Sequence, residues 1–483
     1  MAHGLFSTKP ITDLQEAGSA NELNRVLDAR ALVLLGIGAI IGTGIFVLTG
    51  TAAANHAGPA LVLSFIIAGI GCAFAGLCYA EFAAMIPVSG SAYSYSYVTL
   101  GEGIAWFVGW NLILEYLFAG ATIAVGWSGY VVSLMDQIGL HLPDVLTHAP
   151  FTKGEGHWEL VRTGALVNLP AVLIVCVITA LSYIGIQQSS RFNGVVVAIK
   201  VTVIVLFIGF GAWYVHGANW DPFIPPNEGP GRFGWSGVVT AAGIIFFAYI
   251  GFDAVSTAAQ ETRNPQRNMP IGILLSLAIC TVLYIGVAAV LTGMVPYQEL
   301  NTAAPVALAL DRYSGLNWLS GWVKLGAIAG MTSTMLVMLL GQPRIFYSMA
   351  KDGLLPPVFG KVHPKFKSPS FSTLVTGVAA ATIAGTLPVT ILGELVSIGT
   401  LLAFIVVCIG VLVLRHTRPD LQRPFRVRLP WVVCTAGALI CAYMMISLPK
   451  DTWVRLLVWT FFGMLIYVFY GWKHSALRRP RQD

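Results

Sequence analysis

Charge is what this sequence has least of. Only 10% of its 483 residues are Asp, Glu, Lys or Arg, against roughly 25% in an ordinary soluble domain. The water-facing surface of so long a chain needs many more charges, so a soluble globular protein is excluded. Disorder is excluded too, because 56% of the residues are hydrophobic and disorder requires the reverse. The net charge of +6 is small and spread out, so the basic footprint of a nucleic-acid binder is missing. Cysteine is scarce as well. Cys72, Cys78, Cys176, Cys280, Cys408, Cys434 and Cys441 all fall in apolar runs, without a CxxC pair or a Cys/His cluster of zinc spacing. They read as small packing residues, with no disulfide framework and no metal site. The nine His show no ligand spacing and anchor no Ser/His/Asp set, so no catalytic residue is nominated and the chain does not read as an enzyme. A signal peptide is also missing: residues 1–30 carry Asp13, Glu16, Glu22, Arg25, Asp28 and Arg30 and no apolar core.

What is present is apolar sequence in long runs. Mean hydropathy is +0.75, and about 20 apolar residues cross a bilayer as a helix. The fold class is therefore an all-α polytopic membrane protein. Hydropathy places twelve spans at about 31–54, 60–83, 104–134, 168–186, 193–215, 236–258, 271–294, 321–348, 371–387, 391–414, 430–448 and 452–472. The organisation is an N-terminal segment (1–30), spans one to five (31–215), spans six to ten (236–414), a last pair (430–472) and a tail (473–483). With the N-terminus inside, 20 Lys and Arg fall in inner segments and 6 in outer ones, counting Arg344 and Arg455, just inside span ends, with the segments they adjoin, while Lys200 and Lys324 are counted within spans. That bias predicts an even number of spans and cytoplasmic termini. The loop 84–103 carries no Lys or Arg, so only the total decides.

Two spans look broken. The first contains Gly36, Gly38, Gly42 and Gly44 within GIGAIIGTGIF, and each glycine costs a helix about 1 kcal/mol relative to Ala. Close helix packing explains Gly38 and Gly42, four apart. It does not explain Gly42-Thr43-Gly44 in tandem, which suits an unwound segment. A phosphate loop is excluded, because there is no GK[ST]. In the sixth span the segment Phe246–Val255 has one glycine, Gly251, followed two residues later by Asp253. These spans open two sets of five, and an odd number per set inverts the second relative to the first. Paired interruptions at matching positions mark the substrate site of a secondary transporter. Free N–H groups at a break attract a carboxylate, and free C=O groups attract an ammonium or other cation.

Few charges fall inside spans. Lys200 lies about 10 Å inside the fifth span at 1.5 Å per residue. Snorkelling to the inner interface is one reading. The other is a titratable amine set against broken-helix carbonyls, able to take up and lose a proton. Glu115 lies about 11 residues, or about 16 Å, into the third span, near the midplane. It reads either as a structural hydrogen-bonding group or as a polar group at a pocket wall or a cation partner. Glu81, Asp253, Glu261, Arg263 and Arg267 fall at span ends or in the 259–270 loop, where orientation or gating is the expected role. Most of the 13 Trp and 16 Tyr read as interfacial belt or packing.

Six segments jointly carry a resemblance: Gly36–Phe46, Glu81–Tyr93 (EFAAMIPVSGSAY), Gly109–Tyr116 (GWNLILEY), Arg191–Lys200 (RFNGVVVAIK), Phe246–Glu261 (FFAYIGFDAVSTAAQE) and Asn264–Pro270 (NPQRNMP). Over roughly 31–473 the chain resembles bacterial members of the cationic amino acid transporter branch of the amino acid–polyamine–organocation superfamily. The resemblance implies a LeuT-like fold of five-plus-five inverted repeats with two extra helices. It implies proton-driven uptake of an L-amino acid across the bacterial cytoplasmic membrane, with the proton as coupling ion and no other cofactor. It implies that Ile41, Gly42, Thr43 and Gly44 meet the substrate carboxylate and amine through backbone groups. Phe246, Phe247, Ala248, Tyr249 and Ile250 would supply carbonyls for the ammonium and a gate. Lys200 matches the lysine that stands in for a sodium ion in proton-coupled relatives, and Glu115 matches an acid found throughout this branch. Met331, Ser333, Thr334 and Met338 are further candidates for the pocket wall.

The resemblance leaves the substrate open. A bulky Met338 near the pocket floor restricts long side chains, so small or broad-range neutral amino acids are favoured, with Arg, Lys or ornithine carried by a uniporter or exchanger as the alternative. A channel needs a polar, charge-ringed pore, and no span shows one. Sodium-coupled symport is the nearest rival, and Lys200 argues against it. Expected partners are the amino acid, the proton and membrane lipids, in a monomer or weak oligomer.

Overall fold

In hydrocarbon every backbone polar group needs an internal partner, so apolar runs of this length settle as helices. The computed structural model describes residues 4–10, 27–86, 90–154, 160–185 and 190–478. Most of the predicted segment 1–30, and residues 479–483 of the tail, lie outside the described residues. The principal helices are α1 (Ala29–Ile40), α2 (Leu61–Met85), α3 (Ser91–Thr99), α4 (Glu102–Gln137), α5 (Leu169–Tyr183), α6 (Ser190–Gly211), α7 (Gly234–Ile245), α8 (Phe252–Thr257), α9 (Pro265–Met294), α10 (Pro305–Asp311), α11 (Asn317–Lys351), α12 (Ser370–Thr386), α13 (Val389–Thr417), α14 (Pro430–Ser447) and α15 (Lys450–Ile466). A short antiparallel ribbon pairs β1 (Phe151–Lys153) with β2 (Leu160–Arg162), Phe151 opposite Arg162.

Among the described residues, nine helical stretches are long and apolar enough to cross a membrane, and Ala29–Ile40, Leu169–Tyr183 and Ser370–Thr386 are shorter apolar helices. The protein is thus a multi-pass membrane protein, with fewer full-length helices than the twelve predicted spans. One reason is the break after α1. Another is that residues 44–85 run on without a loop, divided at Gly58, where φ is +58. The short helices start on local signals. Asp28 caps α1 by accepting from Ala31 N at 2.8 Å. Asn168 caps α5 and also accepts from Ser128 of α4 at 2.6 Å, which pins the two helices together.

Burial locates the centre. The apolar window within 234–256 is 100% buried, against 28% for α14 and 22% for the stretch 450–474. The sixth predicted span is therefore the core, and the last pair lies at the edge. Two helices arise where loops were expected. The loop 84–103 contains α3, and the stretch between the seventh and eighth spans contains α10. Neither has the length or apolar run of a crossing helix, yet every residue of α3 is buried. Glu81 is a buried ion-pair partner of Arg415 at 2.5 Å and of Arg423 at 3.6 Å, and it fastens α2 to the end of α13.

Candidate functional site

Where α1 stops, the backbone loses its regular ladder. Ile41 is extended, with φ −73° and ψ 102°, and helical turns resume at Gly44. Carbonyls just before such a break lack the amide four residues on. Lys200 of α6, fully buried, supplies donors. Its Nζ donates to Gly38 O at 2.6 Å, to Ile41 O at 3.0 Å and to Thr334 Oγ1 at 2.9 Å. The Thr334 hydroxyl in turn lies 3.0 Å from Gly38 O and 2.9 Å from Ile41 O. The ammonium thus sits among three oxygens, as a bound cation would, and it does not snorkel. Gly330 of α11 leaves room for it: a Cβ there would lie 3.0 Å from Lys200 Cγ.

The second break has a different make-up. α7 runs into a tight 3₁₀ turn over Phe246–Tyr249, Ile250 is extended, and Gly251 takes φ +119° before α8 begins. A side chain on Gly251 would be strained, and its Cβ would sit 2.6 Å from Ala39 O. Asp253 Oδ1 accepts from Gly251 N at 3.2 Å, and Tyr116 donates to Oδ2 at 3.0 Å. Asp253 therefore belongs to the break, and the span-end position expected for it is corrected. The breaks interlock, since a Cβ on Gly44 would run into the Ala248 backbone. Tyr284 of α9 ties them together, its hydroxyl 3.0 Å from Ile40 O and 2.9 Å from Ala248 O. Sequence reading missed Tyr284, one tyrosine among 16 with no pattern to single it out.

Between the breaks is a cavity of about 10 Å³, lined by Ala39, Ile40, Gly42, Thr43, Ala119, Ile123, Phe247, Ile250, Thr334 and Met338. That is room for about one water molecule. Six predicted candidates line it: Gly42, Thr43, Phe247, Ile250, Thr334 and Met338. Ile41 contributes its carbonyl to Lys200, and Gly44 and Ala248 form the contact between the breaks. Met331 Sδ lies 3.3 Å from Thr43 Oγ1. Phe246 packs edge-on against Phe404, with centroids 5.3 Å apart, and Tyr249 donates to Phe65 O at 2.9 Å. Ser333 is buried, and its hydroxyl has no hydrogen-bond partner. Glu115 is buried beside Asp253 and does not line the cavity. Ala119 and Ile123 were not anticipated, though they continue the Glu115 face of α4 at four-residue steps. Larger crevices lie elsewhere, among them one of about 750 Å³ around Arg267, Pro270 and Phe425 and one of about 640 Å³ between α5 and α12. The second is lined by apolar groups and includes the exposed Leu374 and Val378. Neither meets a break, so the small cavity is the candidate site.

Interlocked broken helices in the core of a membrane bundle, with a buried ammonium against one of them, define a transporter of a small solute. Residues 27–472 match the amino acid permease family, and the chain belongs to that family, within the amino acid–polyamine–organocation superfamily. It is 49% identical to a methylthioribose transporter of Bacillus subtilis (strain 168), over 98% of this chain and 99% of that one. It is 46% identical to the branched-chain amino acid permease BcaP of the same organism, over 99% and 100%. It is 40% identical to the vacuolar cationic amino acid transporter 4 of Arabidopsis thaliana, over 83% of this chain and 65% of the plant protein.

Proposed function

We propose that the protein is a proton-coupled symporter that takes small or broad-range neutral L-amino acids into a bacterial cell by alternating access. The observation that carries this reading is Lys200 on the carbonyls of Gly38 and Ile41 and on Thr334. An ammonium there fastens the inner half of the first span. Loss of its proton removes a donor and the charge, and the carbonyls lose much of their hold on α6. Proton binding and the position of that half-helix are thereby linked.

The substrate carboxylate and amine would meet the backbone of Ile41–Gly44 and the carbonyls of Phe246–Ile250, once local movement widens the cavity. The side chain would face Ala119, Ile123, Phe247 and Met338, and no carboxylate lines the cavity. That suits a neutral, apolar side chain better than a cationic one. Two branched-chain amino acid permeases among the relatives support the same choice. We read twelve crossings: 29–57 and 61–85 as the first two, α5 and α12 as thin crossings, and the other long helices as the remainder. The two sets of five form inverted repeats, with both termini cytoplasmic.

The test is uptake into proteoliposomes under an imposed pH gradient, with and without Na⁺. Uptake of leucine, valine or alanine that follows the gradient and ignores Na⁺ supports the proposal. Uptake that needs Na⁺ and ignores the gradient overturns proton coupling. Stronger competition by arginine or methylthioribose than by leucine overturns the substrate class.

A further inference from the structure

Arginine collects where α13 gives way to α14. Residues 415–428 hold five arginines and one acid, Asp420. Asp420 lies 3.7 Å from Arg418. Glu81, brought in from α2, meets Arg415 at 2.5 Å and Arg423 at 3.6 Å. Arg426 and Arg428 form no ion pair among the described residues. Two acids against five arginines leave three positive charges unbalanced. Glu81 also fixes where the free ones point. Val427 N donates to Glu81 Oε2 at 2.8 Å, and Arg415 Nη2 donates to Val427 O at 3.0 Å. Val427 is thereby held inward and buried, while Arg426 and Arg428 on either side of it are exposed. Arg426 joins Arg415 and His416 in lining a cup of about 210 Å³, walled by Leu412, Pro430 and Trp431. From the cup an exposed face runs along α14: Trp431, Thr435 and Leu439 follow at four-residue steps and stack on one side of the helix. α14 lies at the edge of the bundle, so this face meets lipid, and a Trp at its end marks the headgroup level.

We propose that this cup binds the headgroup phosphate of an anionic phospholipid, with an acyl chain along the Trp431–Thr435–Leu439 face. A guanidinium presents a fork of N–H donors that matches phosphate oxygens, and no carboxylate among the described residues competes for that of Arg426. The occupant is a lipid and not a free phosphate, because Trp431 belongs both to the cup and to the lipid-facing side of α14. It is anionic because a zwitterionic headgroup brings its own cation, whereas unbalanced arginines at this depth call for net negative charge. A bound phosphate also offsets repulsion among the arginines that share Glu81, and so tightens the fastening of α2 to the end of α13. The site is separate from the transport cycle and stands whether or not Lys200 couples protons.

Native mass spectrometry and thermal melting of the full chain in detergent test the proposal, with phosphatidylglycerol as the probe and phosphatidylcholine and inorganic phosphate as separate arms. The expected result is that phosphatidylglycerol is retained and raises the melting temperature, and that Arg426→Gln weakens its retention by about tenfold. Arg426 is exposed and makes no ion pair, so its replacement spares the fold. Arg428→Gln removes the same charge from a side chain that does not line the cup, and should change retention little. Equal retention of phosphatidylcholine overturns the choice of an anionic headgroup. A melting shift that inorganic phosphate alone reproduces overturns the lipid. Equal losses in Arg426→Gln and Arg428→Gln overturn the cup, because the attraction is then diffuse surface charge. No flux is measured, so failure of the transport reading leaves these outcomes unaffected.

Discussion

The two broken spans are satisfied by opposite charges. At the first break the exposed groups are carbonyls, and an ammonium from a different helix, Lys200 of α6, meets them. At the second, an N–H of Gly251 is met by the carboxylate of Asp253, two residues along the same chain. The first break is therefore held by a partner that can detach with its helix. The second is held by a local cap that travels with α8. In the proposed cycle coupling belongs to the first break and shape to the second, and variants at each should behave differently.

The largest effect is expected at Lys200. Lys200→Ala removes the ammonium from two buried carbonyls, and the single hydrogen of the Thr334 hydroxyl can serve only one of them, so one is left unsatisfied at about 1–3 kcal/mol. Gradient-driven uptake should fall by about tenfold or more. Proteoliposome flux with and without a pH gradient measures it, and uptake that still follows the gradient would break the comparison at its first term.

Next comes Gly251→Ala. Its φ of +119° and the approach to Ala39 O should cost about 1–3 kcal/mol of backbone strain, read as a lower melting temperature in detergent. Gly42→Ala is the control. Its Cβ would meet Thr334 Cγ2 at 3.2 Å, with ordinary φ, so the loss should be smaller. Equal losses would mean that the second break is not distinguished by its left-handed glycine.

Tyr284→Phe sharpens the comparison differently, because this one hydroxyl serves both breaks. The hydroxyl has a single hydrogen, so about 1 kcal/mol of interaction is at stake. Uptake should fall a few-fold with little change in melting temperature. A large loss of stability with normal uptake would make Tyr284 a packing residue only.

How much of this was readable in the sequence follows from what each residue needs. Lys200 stood out because charge is so scarce that a lysine inside an apolar run has few explanations. Gly42-Thr43-Gly44 stood out because tandem glycine contradicts a helix. The second break was faint, since one glycine and one acid occur in many helices, and its left-handed turn depends on the approach of Ala39. Tyr284, Ala119 and Ile123 gain their roles from where α9 and α4 cross the breaks, which spacing along one helix does not reveal. α3 was read as loop because SAYSYSYVT has no apolar period, although the neighbouring helices bury it.

Met338→Ser should have the smallest effect on stability and the most specific effect on function. Met338 is 2% exposed and lines the cavity with Ile123 and Phe247. Cutting Met to Ser removes apolar bulk facing a space with room for about one water. The loss of packing destabilises modestly, because flexible methionines at irregular surfaces are tolerant sites. The added room lies where a substrate side chain would extend, so arginine uptake should rise relative to alanine uptake. Both breaks stay intact, so the pH dependence of alanine uptake should not move. If the arginine-to-alanine ratio is unchanged, Met338 does not bound the side-chain pocket. If the pH dependence moves as well, the wall of the cavity and the Lys200 site are one unit, and the separation between shape and coupling drawn from the two breaks fails.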